Sequence, residues 1–170
     1  MVKLDKLNID FDCNKETPYF QVNPNQRIRF GMEDLTPSLI RKVVEEVLSE
    51  KDNINVVFIS EYIINNKRFS SKSRIGKFIN INNWKESIEI DECGDEGVVY
   101  ATIRDVDRND VLKYCLKVFN GQNEAFISFF TEEVLLYLNS DVIDIVSNNR
   151  SKIDSLKQNY AGIFNKYYEE

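Results

Sequence analysis

Histidine is absent from this 170-residue chain. That removes the commonest general acid/base at neutral pH, every Ser/His or Cys/His nucleophile pair, and most zinc and iron sites. Glycine is scarce, at six residues, and no GxGxxG, P-loop or GxSxG pattern occurs, so little material remains for a phosphate-cradling loop. Cys13, Cys93 and Cys115 are odd in number, widely spaced and form no CxxC, which is neither a disulfide framework nor a zinc site. Such cysteine usage suits a reducing compartment. Apolar runs stop at four or five residues, so neither a signal peptide nor a membrane span is expected and the expected location is the cytoplasm. The three prolines, Pro18, Pro24 and Pro37, all lie in the first quarter, and no repeat or low-complexity linker divides the remainder of the chain.

What is present is ample core material and segregated charge. Hydrophobic residues make up 42% and aromatics 12% of the chain. Residues 1–170 are therefore expected to form one domain that buries roughly two thirds of its unfolded surface. The formal net charge of −6 is concentrated between Lys85 and Asp110, where Glu86, Glu89, Asp91, Glu92, Asp95, Glu96, Asp105, Asp107 and Asp110 face only Lys85, Arg104 and Arg108. The preceding stretch, Tyr62 to Trp84, carries Lys67, Arg68, Lys72, Arg74 and Lys77 and no acid. An acidic chain with a pI near 4.9 argues against nucleic acid as partner, because phosphate binding needs a basic excess. It suits a basic protein partner instead.

Leu4 to Phe11 alternates apolar and polar residues and reads as one strand or extended edge. Asn23-Pro24-Asn25 is a turn, and Arg27 to Phe30 a short strand. Thr36-Pro37 opens a helix: the threonine oxygen can accept from an orphan N–H, and proline at the first helical position lacks only a donor that has no partner. Leu39, Ile40, Val43, Val44, Val47 and Leu48 then share one face. Asn53 to Ser60 is a buried strand by its β-branched density. Between Glu61 and Ile90 the apolar residues recur as short strands around a Ser70–Ser73 loop. Val98 to Ile103 is a strand, followed by a helix to Phe119 that turns Val111, Leu112, Cys115 and Leu116 inward and stops at Asn120-Gly121. Ala125–Phe130, Glu133–Leu138 and Val142–Val146 read as strands, and Arg150 to about Tyr168 as a final helix burying Ile153, Leu156, Tyr160 and Tyr167. Hairpin-linked strands with about three interspersed helices make the fold class α+β, with a mostly antiparallel sheet.

No constellation names a reaction. Asp105-Val-Asp107-Arg-Asn109-Asp110 imitates the first half of a calcium loop, but Asp110 stands where the glycine belongs and Leu116 where the bidentate glutamate belongs. It reads as a strand-to-helix turn in which Asp107, Asn109 or Asp110 caps the helix. Asp91-Glu-Cys-Gly-Asp-Glu-Gly crowds four carboxylates around two glycines, which favours solvated acids over the desolvated pair a hydrolase needs. The basic stretch from Lys67 to Lys77 lacks the glycine-aromatic pattern of RNA-binding sheets. No catalytic residue, metal or cofactor is expected.

The final third runs Phe126-Ile-Ser-Phe-Phe-Thr-Glu-Glu-Val-Leu-Leu-Tyr-Leu-Asn-Ser-Asp-Val-Ile-Asp-Ile-Val, then Lys152-Ile-Asp-Ser-Leu-Lys-Gln-Asn-Tyr. Over about forty residues it resembles a family of small bacterial proteins in which two strands, a hydrophobic-Asp-hydrophobic step and a helix ending near a tyrosine succeed one another. Ile143-Asp144-Ile145 carries that step, while Asn139-Ser140-Asp141-Val142 stands where the family has Asp-Asp-Arg-Gly. Many such proteins resemble immunity proteins encoded beside polymorphic or contact-dependent growth-inhibition toxins. The resemblance implies a toxin-neutralising role. With the charge pattern it leads to the expectation of a non-enzymatic, cytoplasmic protein that blocks a basic toxin domain, such as a nuclease. The expected contact face is Asp91, Glu92, Asp95, Glu96, Asp105 and Asp107. A structural or regulatory subunit of a larger bacterial assembly is the alternative.

Overall fold

Thr36 and Pro37 start the first helix as their chemistry requires: Thr36 Oγ1 accepts from the Leu39 N–H at 3.2 Å, and Pro37 occupies the first turn. The computed structural model describes residues 1–122 and 124–169. Its elements, in chain order, are β1 (Val2–Leu4), β2 (Ile9–Phe11), β3 (Arg27–Gly31), α1 (Pro37–Val47), β4 (Ile54–Ile64), β5 (Lys67–Ser70), β6 (Lys85–Ile90), β7 (Glu96–Val106), α2 (Arg108–Phe119), β8 (Ile127–Phe130), β9 (Val134–Leu138), β10 (Val142–Ser147) and α3 (Arg150–Asn159).

Eight strands form one sheet in the order β3-β10-β9-β8-β4-β7-β6, with β5 beside the far half of β4, and every pairing is antiparallel. With three α-helices among the described residues, the fold is α+β. Strand residues alternate between faces. Ile28, Phe30, Val56, Phe58, Ala101, Ile103, Phe129, Leu136 and Ile145 pack under the three helices. On the opposite face the β1–β2 hairpin lays Leu4, Leu7 and Ile9 on Leu135, Tyr137 and Val146, and Phe11 on Val57, Ile59 and Tyr100.

Two local readings are corrected. Leu4 to Phe11 is not one strand: Asp5–Leu7 form a 3-10 turn that ends in Asn8 at φ +56°, so the chain doubles back as a hairpin. The last helix ends at Asn159 instead of reaching Tyr168. The residues beyond it turn onto the edge of β3, where Asn165 N–H donates to the Arg29 carbonyl at 2.8 Å and Arg27 Nη2 to the Tyr168 carbonyl at 2.7 Å. Tyr160 stays buried, edge-on to Phe30, whereas Tyr167 is 81% exposed.

Beneath that strap lies the one fully buried carboxylate among the described residues. Asp144 on β10 stands opposite Arg29 on β3, and the guanidinium closes on it with two bonds of 2.6 and 2.7 Å. The buried Tyr19 ring takes Arg29 Cζ at 4.2 Å and Arg27 Cζ at 4.3 Å, so both cations are stacked as well as hydrogen-bonded. Removing one member of such a pair strands a buried charge. Arg29→Met should therefore lower stability by about 3–5 kcal/mol. Arg29→Met/Asp144→Leu should recover most of that loss in urea denaturation. A single variant within about 1 kcal/mol of wild type would refute the pairing energetics.

Candidate interaction surface

β4 carries an irregularity part-way along its length. Its pairing with β7 shifts register between Ile59 and Glu61, and the Ser60 hydroxyl donates to the Val99 carbonyl at 3.0 Å. Beyond the shift, Tyr62 pairs with Val98 and Ile64 with Glu96 on one side, and with Phe69 and Lys67 on the other. Asn65 and Asn66, at φ 51° and 60°, make the β4–β5 turn, where asparagine tolerates the left-handed backbone.

The β6–β7 turn is organised by one of its own acids. Asp91 N–H donates to the Glu96 carbonyl at 2.8 Å, and Asp91 Oδ1 accepts from the Asp95 and Glu96 N–H groups at 3.0 and 3.2 Å. Asn66 ties the two turns together, its N–H donating to the Asp95 carbonyl at 3.1 Å and its Nδ2 to Asp95 Oδ1 at 2.9 Å. The far halves of β4 and β7, with β5 and β6, thus project as one four-stranded wing.

Both faces of the wing show apolar side chains. By strand alternation, Trp84, Ile88 and Ile90 lie on the helix-bearing face, and Tyr62, Ile64 and Phe69 on the other. Ile88 and Ile90 are each 51% exposed. Counting Ile81, seven of the ten exposed large hydrophobics among the described residues fall between Tyr62 and Ile90. Trp84 stands edge-on to the core ring of Phe58 at 5.6 Å, which fixes its root while its surface stays open. Arg68 on β5 donates to Glu61 and, at 2.9 Å, to Glu86 on β6. The bonds from Arg68 and Trp84 hold the Glu86 carboxyl below its ordinary range. On the opposite face the Tyr100 hydroxyl accepts from the Cys13 N–H at 3.1 Å and donates toward Asp12 Oδ1 at 3.3 Å, anchoring the end of β2 under the wing. Burial pushes the Tyr100 phenol up, so it works as a fixed neutral donor.

The six carboxylates expected to share one face do not. Asp91, Glu92, Asp95 and Glu96 are exposed together at the wing tip. Asp105 and Asp107 lie at the other end of β7, roughly 33 Å away at strand rise. Adjacency in sequence misled because the intervening residues form a single extended strand. Asp107 caps α2, its side chain accepting from the Asn109 N–H at 2.7 Å, and Asp105 takes the left-handed turn at φ +56°. The calcium-like pattern is therefore a strand-to-helix turn. No cluster of three or more potential metal ligands occurs among the described residues.

Two open hollows flank the wing on the hairpin side. One, of about 660 Å³, runs between Met1–Leu7 and Lys85, Ser87, Thr102 and Arg104; the other, of about 560 Å³, lies among Cys13, Tyr62, Ile64, Glu89 and Glu96. No charged side chain that lines either hollow is buried. Cys115 is enclosed in the core, and burial pushes its thiol up to about 12. No helix among the described residues is long and apolar enough to cross a membrane.

The exposed apolar set went unseen in the sequence. Its one signal is Ile88-Glu89-Ile90, an alternation too short to tell an exposed strand from a half-buried one. The wing's geometry depends on Gly97: a Cβ there would collide with the Glu89 carbonyl and stand 3.1 Å from Ile90 Cα. Gly97→Ala should cost roughly 1–3 kcal/mol and speed amide exchange in β6 while the strands beneath the helices stay protected. Unchanged β6 exchange would contradict this packing. No known protein family, curated protein or solved structure matches this chain.

Proposed function

We propose that this protein is a non-catalytic, cytoplasmic binding protein of the toxin-immunity kind, which covers a basic toxin domain with the wing of β4–β7. The observation that carries the reading is the concentration of uncovered aromatic and aliphatic side chains beside four clustered carboxylates. Exposed aromatics supply the central contacts of protein interfaces, and a rim of one charge steers an oppositely charged partner into register. The contact surface is accordingly narrowed to the β6 edge and the wing tip, with Asp91, Glu92, Asp95 and Glu96 at the tip and Trp84, Ile88 and Ile90 along the edge. Asp105 and Asp107 are left out because they serve the turn before α2.

A toxin's substrate groove is basic when its substrate is nucleic acid, and an acidic, partly apolar wing complements such a groove in both charge and shape. The histidine-free composition and the solvated acids point the same way, since they leave recognition as the chemistry these residues can perform.

The test is growth protection. A cell making the toxin domain encoded beside this protein's gene should grow when the wild-type chain is co-expressed. Glu92→Lys/Glu96→Lys should reduce protection at least about tenfold, chiefly through slower, salt-sensitive association. Its circular dichroism should stay unchanged, because neither side chain holds the turn. Protection undiminished in that variant, or a neighbouring product that is harmless, overturns the proposal. Recovery of the chain in a stable multi-subunit complex supports the structural-subunit alternative.

A further inference from the structure

The sheet treats its two outermost strands differently. The edge of β3 is strapped by the C-terminal residues through the Asn165 N–H bond to the Arg29 carbonyl. The outer edge of β6 pairs with nothing among the described residues. Its open groups are set by the hairpin. Asp91 N–H donates to Glu96, so Asp91 and Glu96 form a hydrogen-bonded pair, and such pairs alternate along an antiparallel ladder. Glu89, Ser87 and Lys85 therefore bond to β7, while the N–H and C=O of Glu86, Ile88 and Ile90 point outward. An open run of this kind is a template for another strand.

We infer that β6 is completed by an extended, alternating basic and apolar segment of the partner protein, which adds a further strand to the sheet. This deepens the binding reading above and rests on it. The choice of occupant comes from charge. β6 and its turn carry Lys85 against Glu86, Glu89, Asp91, Glu92, Asp95 and Glu96, a net of −5. A second copy would bring the same net charge against itself, which disfavours a β6–β6 dimer. The faces set the partner's pattern. Its apolar side chains would lie on the helix-bearing face against Trp84, Ile88 and Ile90. Its lysines or arginines would lie on the other face, against Glu89 and Asp91. The remaining open edge, β5, is shorter and carries Lys67 and Arg68, charges that guard an edge against added strands.

The probe is an eight-residue peptide alternating lysine and valine, with a glutamate–valine peptide as control. Trp84 is the only tryptophan in the chain and adjoins β6, so its fluorescence reports binding directly. The lysine–valine peptide should bind at about 1 mM or tighter, and the acidic peptide should not. In the wild-type protein, the peptide should slow exchange of the Glu86, Ile88 and Ile90 amides, while Ser87 and Glu89 are protected with or without it. Ile88→Pro, which removes an outward N–H and no bond to β7, should weaken binding at least about tenfold.

Absence of binding, protection gained on β5 instead, or a dimer that protects the same amides without peptide would each overturn the inference. Full growth protection by a folded Ile88→Pro variant would overturn it while sparing the immunity reading. Peptide binding as described with a harmless neighbouring product would do the reverse.

Discussion

An antiparallel sheet is held flat against helices only as far as the helices reach. β4 has 11 residues and extends roughly 36 Å, whereas α1, also of 11 residues, is about 16 Å long. A helix and a strand of equal residue count cannot cover one another, so either a second helix lies end to end or part of the strand goes bare. Past the register shift after Ile59 the two faces of β4 differ: Ile63, on the helix-bearing face, stays buried, whereas Tyr62 and Ile64, on the opposite face, are exposed. On that opposite face Phe11 of the hairpin packs on Val57, Ile59 and Tyr100, and Tyr62 and Ile64 lie beyond it. β5 and β6 exist to pair the overhanging halves of β4 and β7, because unpaired backbone would otherwise run free for their whole length.

The opposite margin of the sheet solves a different problem. Arg29 and Asp144 sit on the two outermost strands, where a buried ion pair carries a large desolvation cost that only tight geometry offsets. The bidentate contact, the Tyr19 ring and the C-terminal strap supply that geometry together. The strap also occupies the β3 edge, so one set of contacts satisfies a charge pair and closes a sheet margin. β6 has no counterpart to it among the described residues. That edge carries Ile88 and Ile90 beside a turn of four carboxylates, so its open backbone is flanked by negative charge.

Local chemistry was legible in the sequence wherever one residue's donor or acceptor decides the outcome. Thr36-Pro37 announced α1, a capping side chain among Asp107, Asn109 and Asp110 announced α2, the β-branched run at 53–60 announced β4, and the apolar stretches at 125–130, 133–138 and 142–146 announced β8 to β10. What could not be read was coverage. Ile88-Glu89-Ile90 alternates as Arg27 to Phe30 does, yet the first lies at a free edge and the second under α3 and the strap, and period-2 alternation reports only that a strand has two faces. The length of the last helix failed for a related reason. Its apolar spacing continues through Tyr167, but the β3 edge takes the chain after Tyr160, and tertiary hydrogen bonds outweigh helical periodicity.

The charge cluster shows most clearly how sequence proximity and spatial proximity part company. Within a helix, Glu96 and Asp107 would lie about 17 Å apart; along a strand the separation is roughly twice that. The acids at 91–96 and those at 105–107 thus come under different constraints. The second group answers to the N-terminus of α2, where a side-chain oxygen is needed by an orphan amide. Within the first, Asp91 and Asp95 hold the two turns together, while no backbone bond depends on the Glu92 or Glu96 side chains among the described contacts. A carboxylate that carries no local duty can change sign without cost to the fold, so Glu92 and Glu96 stand apart from the acids that build the turn.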